Sequence, residues 1–247
     1  MIVAEVGVNW NGSWALAQEL ILLARECGVG TVKFQLYEVD KLFPDKRIIV
    51  SGRNWYELVK KTELTRGQVN ELATLCDKLS LEFMASAFDL ERLEWLKEVG
   101  VQRYKVGTRF KSKEVMEAIA QTGKPVLVSL ELYDHEYWRG ICQHYFGNRC
   151  QFLYCVPNYP TRVWEFQFDR IGFGDNLDTE FQGLSSHYPG IAPALYALAH
   201  GAEVVEVHFT KSRLLLGPDQ TSSIEPEELK QLVMLASQIT ALREAQK

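Results

Sequence analysis

Short apolar runs rich in β-branched residues alternate with amphipathic segments along the whole chain, and this alternation constrains the fold more than any other feature. Eight runs predict strands, at residues 2–8, 31–36, 82–87, 101–106, 126–129, 151–156, 181–184 and 203–207. Helical periodicity lies between most of them, at 14–27, 71–78, 90–99, 113–121, 193–200 and 227–243, whereas 133–146 is only weakly periodic. Strands that alternate with helices form a parallel sheet. Eight such units over residues 1–247 predict one α/β domain, a (β/α)8 TIM barrel.

The competing α/β architecture is a doubly wound sheet, which usually carries a glycine-rich phosphate turn after its first strand. Here the first strand is followed by Asn9-Trp10-Asn11-Gly12, which lacks that fingerprint. The sequence therefore favours the barrel.

Composition excludes several classes of protein. The formal net charge of −5 argues against a general binder of nucleic acid or anionic membrane. The longest apolar runs fall far short of the ~18–20 residues of a transmembrane helix, and the first residues, which include Glu5, do not form a signal peptide. The five cysteines are odd in number and form no CxxC pair, which predicts reduced thiols in a cytoplasmic protein.

The active site of a (β/α)8 barrel is built at the carboxyl ends of its strands. The polar residues inside or just after the predicted strands are therefore the site candidates: Glu5, Asn9, Lys33, Gln35, Ser86, Lys105, Thr108, Ser129, Glu131, Asn158, Tyr159, Ser185, Ser186, His187, Glu206 and His208.

Lys33 and Lys105 lie inside apolar strands, where a buried ammonium is costly unless it is paired or bound to an anion. One interpretation is a phosphate or carboxylate site, to which nearby serine and threonine hydroxyls would add donors. A second is a Schiff-base lysine, as in aldolases. A third is that either lysine lies on the outer face of the barrel with its ammonium in water.

His187 and His208 follow adjacent strands. Two neutral imidazoles from neighbouring strands, with Glu5 or Asp219 nearby, suit a divalent transition metal that keeps positions open for water and substrate. The alternative is that both histidines are structural and hydrogen-bonded.

Eight short segments, in chain order, resemble the strand motifs of the sialic acid (N-acetylneuraminate) synthase family. They are residues 4–9 (AEVGVN), 32–35 (VKFQ), 86–89 (SAFD), 104–108 (YKVGT), 123–125 (GKP) with Ser129, Cys155 with 159–161 (YPT), 183–187 (GLSSH), and 206–210 (EVHFT) with 217–219 (GPD). Any one segment is a weak signal, whereas eight in order indicate membership. The resemblance implies a (β/α)8 barrel that adds the enolpyruvyl unit of phosphoenolpyruvate to a sugar aldehyde, releasing phosphate and a 2-keto-3-deoxy sugar acid.

The resemblance also implies roles for individual residues. His187 and His208 would hold a divalent metal, Mn²⁺ with Mg²⁺ or Co²⁺ as alternatives, and the catalytic residues would be Glu5, Lys33 and Lys105. The substrate-binding residues would be Gln35, Ser86, Thr108, Ser129, Tyr159, Ser185, Glu206 and Asp219, of which Tyr159, Glu206 and Asp219 would face the acceptor. The implied partners are phosphoenolpyruvate and a sugar aldehyde, together with a homodimer or a separate capping protein.

The sequence departs from the family pattern in several places. Trp10 stands where the family has histidine, Ser186 stands where it has aspartate, Leu130-Glu131 follow Ser129 in place of Thr-Gly, and Pro157-Asn158 alter the sixth loop. The chain is expected to lack the antifreeze-like domain that covers the active site in typical members. Either a separate protein supplies that cover, or loops 36–54 and 133–146 replace it, with Tyr37, Lys46, Arg47, Tyr133 and Trp138 as candidate sugar contacts. The alternative is that these loops only pack on the barrel rim.

Two other functions remain open. One is an aldolase or lyase on the same barrel that forms an imine at Lys33 or Lys105. The other is a non-catalytic or partner-dependent family member that binds a sugar acid.

Overall fold

Eight parallel strands close on themselves in the computed structural model, which describes residues 1–47, 49–50, 53–109, 111–174 and 180–245. The strands are β1 (Ile2–Gly7), β2 (Thr31–Leu36), β3 (Glu82–Ala87), β4 (Tyr104–Val106), β5 (Val126–Leu130), β6 (Cys150–Cys155), β7 (Gly183–Ser186) and β8 (Val204–His208). Each strand pairs with the next along the chain, and β8 pairs in parallel with β1. The predicted (β/α)8 barrel is confirmed.

Helices connect the strands, and most of them cover the outside of the barrel. They are α1 (Trp14–Glu26), α2 (Val39–Leu42), α3 (Trp55–Lys60), α4 (Arg66–Lys78), α5 (Leu90–Glu98), α6 (Lys113–Ala120), α7 (His135–Phe146), α8 (Ala192–Ala199) and α9 (Pro226–Glu244). The hydroxyl oxygen of Ser13 accepts the Leu16 N–H at 3.3 Å and caps α1. The weakly periodic segment 133–146 contains α7, whose fully buried residues are Cys142 and Phe146, so its apolar stripe is faint in the sequence.

Two connections differ from a regular strand–helix unit. Between β2 and β3 the chain forms α2, a small antiparallel pair of strands (Ile49–Val50 and Arg53–Asn54), α3 and α4. Positions 48, 51 and 52 of the predicted covering loop lie outside the described residues. Between β6 and β7 the described residues contain only the 3₁₀ turns Val163–Glu165 and Phe168–Arg170.

Two predicted strand boundaries are wrong. The fourth strand begins at Tyr104 rather than Val101, because the Val101 N–H donates to Leu96 O and so completes the end of α5. The seventh strand begins at Gly183 rather than Phe181, which instead forms an isolated bridge with Phe173. Ser185 and Ser186 therefore lie within β7.

The barrel interior contains an apolar layer. It consists of Val3, Met84, Leu127, Leu153 and Val204, all buried. Alternate residues of a strand point to the same face, so the residues two positions further along also face inward. Those residues are Glu5, Ser86, Ser129, Cys155 and Glu206, and they form a polar layer above the apolar one. No helix among the described residues is both long and apolar enough to cross a bilayer.

Candidate active site

A cavity of about 780 Å³ opens at the carboxyl end of the barrel. The thirteen residues to which the family resemblance gives a role all line it: Glu5, Lys33, Gln35, Ser86, Lys105, Thr108, Ser129, Tyr159, Ser185, His187, Glu206, His208 and Asp219. Of the remaining strand-end candidates, Asn158 also lines the cavity, whereas Asn9, Glu131 and Ser186 do not. The nine that lie in strands come together because the strand alternation that turns the apolar layer inward also turns them inward. Thr108, Tyr159, His187 and Asp219 join them from the loops that follow strands. The structure places the residues in one site, whereas their chemical roles stay predictions.

The floor of the cavity is a buried ionic array. Lys33 Nζ lies 2.9 Å from Glu5 Oε2 and 3.6 Å from Glu206 Oε1. Lys105 Nζ lies 3.4 Å from the same Glu206 oxygen. All four side chains are at most 6% exposed, so neither lysine lies on the outer face with its ammonium in water. Two ammonium groups balance two carboxylates, which leaves the floor close to electroneutral.

Burial and pairing set the protonation of this array. Burial alone would lower the pKa of the Lys33 ammonium, but the carboxylates of Glu206 and Glu5 outweigh it and raise that pKa. Burial would raise the pKa of Glu206, but Lys105 and Lys33 outweigh it and lower that pKa. Burial raises the pKa of Glu5 because Lys33 offsets it only in part, and burial lowers the pKa of Lys105 despite the attraction of Glu206. Of the two carboxylates in this array, Glu5 is therefore more disposed than Glu206 to take up a proton.

Hydroxyl and amide groups surround the array. The Ser185 hydroxyl donates to Glu206 Oε1 at 3.1 Å, and Gln35 Nε2 donates to Glu5 Oε1 at 2.9 Å. Lys33 Nζ lies 3.5 Å from Ser86 Oγ. The Ser129 hydroxyl is buried and has no hydrogen-bond partner among the described residues. An unpaired buried hydroxyl is costly unless water or a ligand satisfies it, so the Ser129 hydroxyl is available to a ligand in the cavity.

The rings of His187 and His208 lie side by side, with centroids 5.2 Å apart. His187 Nδ1 is 2.8 Å from Val156 O, and its Nε2 is 2.8 Å from the Tyr159 hydroxyl. A carbonyl oxygen only accepts, so Nδ1 carries the proton and Nε2 carries the lone pair. His208 Nδ1 is buried without a hydrogen-bond partner in the described chain and lies 3.7 Å from Asp219 Oδ2.

These imidazoles fit a divalent metal. Burial lowers the pKa of His187 to about 4, and burial together with His187 holds the pKa of His208 well below its usual range, so both rings are neutral at pH 7 and could act as metal ligands. The backbone hydrogen bond at Nδ1 of His187 is the support that metal-binding histidines commonly have. Within the described ranges no group of three or more His, Cys, Asp or Glu side chains has a metal-binding arrangement. The site would therefore have two protein ligands, with its other positions left to water or substrate.

Asp219 completes this side of the cavity. Burial and the nearby Glu5 carboxylate raise the pKa of Asp219 to about 7. Its carboxyl group is consequently poised between its two protonation states near neutral pH.

Two sets of cavity residues were missed from the sequence. Arg109 lies on the loop after the fourth strand, directly after Thr108, where no strand period indicates the direction of its side chain. An apolar wall also lines the cavity, formed by Leu42, Phe43, Trp55, Leu58, Val59 and Phe88. These residues come mostly from the insertion between β2 and β3, and their apolar character gave no sign of a site.

The predicted sugar contacts of the two loops are mostly wrong. Only Tyr37 lines the cavity, and its hydroxyl is already engaged by Thr62 Oγ1 at 2.6 Å. Lys46 instead pairs with Asp40 at 2.9 Å, and Tyr133 is 90% exposed to solvent. Arg47 and Trp138 also lie outside the lining.

Two departures from the family pattern lie away from the lining. The Trp10 side chain is buried in the hydrophobic core. The Ser186 hydroxyl oxygen accepts the Tyr188 N–H at 3.3 Å. By contrast, Pro157 and Asn158 line the cavity directly.

The fold and the site define a (β/α)8 barrel with a polar, substrate-sized cavity at the carboxyl end of its strands. The model of the NeuB family matches residues 20–247, and the chain belongs to that family. It is 33% identical over 251 residues to the N,N'-diacetyllegionaminic acid synthase of Legionella pneumophila, covering 94% of this chain and 70% of that protein. It is 31% identical over 244 residues to the human N-acetylneuraminate-9-phosphate synthase, covering 94% of this chain and 68% of that protein.

A solved structure agrees with this assignment. The N-acetylneuraminic acid (sialic acid) synthetase of Leptospira borgpetersenii serovar Hardjo-bovis, crystallised with citrate, superposes with a TM-score of 0.85 at 30% identity. The match covers 98% of this chain and 84% of that chain. The resemblance found in the sequence is thereby confirmed, and the relatives are synthases of acidic sugars.

Proposed function

We propose that this chain condenses phosphoenolpyruvate with a sugar aldehyde to give a 2-keto-3-deoxy sugar acid and inorganic phosphate. The observation that carries the proposal is that the Lys33–Glu5–Glu206–Lys105 array and the imidazoles of His187 and His208 share one cavity. The relatives that are named as sugar acid synthases support the product class.

The proposed reaction forms a C–C bond and a C–O bond and breaks the C–O bond to phosphate. C3 of phosphoenolpyruvate bonds to the aldehyde carbon, and the aldehyde oxygen takes up a proton. Water adds to C2 of the former enol, and the bond from C2 to the phosphate oxygen then breaks to release phosphate. Glu5, whose pKa is raised, is the proposed base that takes the proton from this water.

The residues around the donor have binding roles in this proposal. Lys33 and Lys105 neutralise the anionic groups of phosphoenolpyruvate, and Ser129 supplies the buried hydroxyl that has no partner in the described protein. Ser86, Thr108 and Ser185 would add hydroxyl donors, and Gln35 would orient Glu5 through its 2.9 Å hydrogen bond. A divalent metal held by His187 and His208 would supply Lewis-acid polarisation of the acceptor's aldehyde oxygen.

The test is phosphate release from phosphoenolpyruvate with Mn²⁺ and a panel of N-acyl hexosamine aldehydes. We expect release that depends on the aldehyde, together with a keto acid product of matching mass. The K105M variant serves as the matched inactive control. Wild-type protein that binds a sugar acid yet releases no phosphate with any acceptor would instead support a non-catalytic or partner-dependent family member.

One observation favours a second candidate, an aldolase or lyase. Burial lowers the pKa of Lys105, and a lowered pKa is what an imine-forming lysine requires. Reduction with borohydride in the presence of pyruvate separates the two functions. An adduct at Lys105 in the mass spectrum would favour the aldolase, and its absence together with phosphate release would favour the synthase.

We further propose a homodimer or a separate capping protein, in the cytoplasm. Large apolar side chains are exposed on loops that follow β6 and β8, at the same end of the barrel as the cavity: Trp164 is 73% exposed, Leu214 92% and Leu216 71%. Apolar groups so placed suit a covering partner. Light scattering of the purified chain tests the homodimer.

The five free cysteines support the proposed location in the cytoplasm, which is a reducing compartment.

A further inference from the structure

Three basic and three acidic residues line the cavity, but not every basic residue is paired with a carboxylate. Its basic residues are Lys33, Lys105 and Arg109, and its carboxylates are Glu5, Glu206 and Asp219. Both lysines lie within 4 Å of a carboxylate on the floor. Arg109, whose side chain is exposed at the mouth of the cavity, forms no ion pair within that distance with a carboxylate of the described chain.

Arg109 is held in place by two contacts. Its Nη2 donates to Pro157 O at 2.5 Å, and its guanidinium carbon lies 5.3 Å from the centre of the Tyr159 ring. The Tyr159 ring stacks on the His187 ring with centroids 3.9 Å apart, and the Tyr159 hydroxyl donates to His187 Nε2, so the guanidinium lies close to the imidazole pair. A guanidinium has five N–H donors, and the bond to Pro157 O uses only one of them, so the other N–H groups are available to a ligand.

An anionic substrate needs this charge. The floor is close to neutral, so the phosphate and carboxylate of phosphoenolpyruvate would add a large negative charge to a buried site, which is costly without a further cation. Arg109 is the cation of the lining that is free to offset it. Arginine matches the oxygens of phosphate with two parallel hydrogen bonds.

We infer that Arg109 binds a phosphate group of the substrate at the mouth of the cavity. This inference rests on the proposed function for the source of the phosphate, which is either the donor, phosphoenolpyruvate, or a phosphate carried by the sugar acceptor. Arg109 would then determine which substrates are accepted, in a position that the strand motifs do not include.

The experiment compares wild-type protein with R109Q and R109K. The matched control is R162Q, because Arg162 is an exposed arginine whose guanidinium also lies over an aromatic ring, Trp164 at 5.5 Å, and which does not line the cavity. The probes are inorganic phosphate and phosphoenolpyruvate in calorimetry, followed by kinetics with N-acyl hexosamines and their 6-phosphates. Thermal melting checks the fold of each variant.

We expect R109Q to weaken binding of inorganic phosphate by about 10-fold or more, as loss of a charge-assisted bond implies. The affinity of R109K for phosphate should lie between those of R109Q and wild type, because lysine keeps the positive charge but lacks the paired N–H donors of the guanidinium. If R109Q does not fold, R109K provides the test. An equal loss for phosphoenolpyruvate identifies the donor as the source. Unchanged phosphoenolpyruvate affinity with a lower kcat/KM for the 6-phosphates alone identifies the acceptor.

Loss of the contact predicts a change of about tenfold. The inference is overturned if R109Q keeps its affinity for inorganic phosphate and phosphoenolpyruvate, and its kcat/KM for the sugar 6-phosphates, within about twofold of wild type. That failure is distinct from failure of the proposed function, because wild-type protein would still release phosphate from phosphoenolpyruvate. Wild-type protein that binds neither phosphate nor phosphoenolpyruvate would overturn both.

Discussion

Lys33 Nζ lies 2.9 Å from Glu5 Oε2, and the two side chains are 3% and 1% exposed. The pair joins β1 to β2 at the carboxyl end of the barrel, where Glu5 and Lys33 are register partners. A buried pair of this kind contributes little net stability over an apolar pair, but removing one partner leaves an uncompensated charge. The ligand-free site is therefore stable only while its charges are balanced.

Replacing Lys33 alone tests whether the stability of the fold depends on the charge balance of the site. K33M leaves Glu5 without its cation, whereas Glu206 keeps Lys105 at 3.4 Å. We expect K33M to lower the free energy of unfolding in urea by about 3 kcal/mol. The double variant E5Q/K33M should recover a large part of that loss, because it removes the orphaned charge as well.

A surface pair supplies the control for that experiment. Lys97 pairs with Glu94 at 2.7 Å on α5, with both side chains partly exposed. K97M should change the unfolding free energy by less than about 0.5 kcal/mol, as for other exposed pairs. If K33M costs no more than K97M, the buried pair does not have the energetic role described above.

The metal site gives a second prediction. H187A/H208A should bring the Mn²⁺ content of the protein from about one per chain to near zero, because two imidazoles are its only proposed protein ligands. Metal content by emission spectrometry and the Mn²⁺ signal in paramagnetic resonance measure this without reference to activity. H200A is the control, since His200 is exposed and far from the cavity lining. Equal Mn²⁺ in the double variant and in wild type would refute the assignment.

The inward-facing residues of the site could be predicted from the sequence because strand geometry alone decides them. Glu5 lies two residues after Val3, Ser86 two after Met84, and Glu206 two after Val204. A strand period of two fixes their common direction once the apolar layer faces inward. Closure of the barrel then brings the polar residues of distant strands together.

Residues on loops could not be predicted in this way. Arg109 reaches the cavity through contacts with Pro157 and Tyr159, about 50 positions away in the chain. Trp55 begins α3, and the insertion that carries it has no strand period to indicate a direction. Their positions depend on tertiary packing rather than on a local repeat. The two-residue period of a strand therefore explains why the residues of the cavity floor could be predicted from the sequence. The walls are built by loops, which have no such period, so their residues could not.

Trp55 provides a test of the apolar wall. W55A should raise the KM of an N-acyl hexosamine acceptor about 10-fold, because it removes apolar contact area worth about 1.5–3 kcal/mol when buried. Binding of phosphoenolpyruvate should stay near that of wild type, since the ionic floor is untouched. W164A is the control, because Trp164 is 73% exposed and does not line the cavity. A larger loss of phosphoenolpyruvate affinity than of acceptor affinity would place Trp55 in the donor half.

Asp219 makes the stability of the fold depend on pH in an unusual direction. Its pKa is about 7 in the folded chain, against an ordinary value of 3.8, because burial and Glu5 disfavour the ionised form. Between pH 4 and pH 7 the folded state thus holds more of this proton than the unfolded state does. The contribution of Asp219 to the unfolding free energy is therefore fully present at low pH and is lost as the pH rises through that window.

The D219N variant has no carboxyl group at this position, so comparison with wild type isolates the contribution of Asp219 to the free energy of unfolding. In EDTA-treated protein, the unfolding free energy of wild type relative to D219N should fall by about 2 kcal/mol between pH 5 and pH 8. Urea denaturation of both proteins at the two pH values measures the difference, and D77N, altered at an exposed aspartate on α4, should track wild type. A wild-type to D219N difference that is the same at both pH values, or that grows as the pH rises, would show that Asp219 ionises freely in the folded cavity.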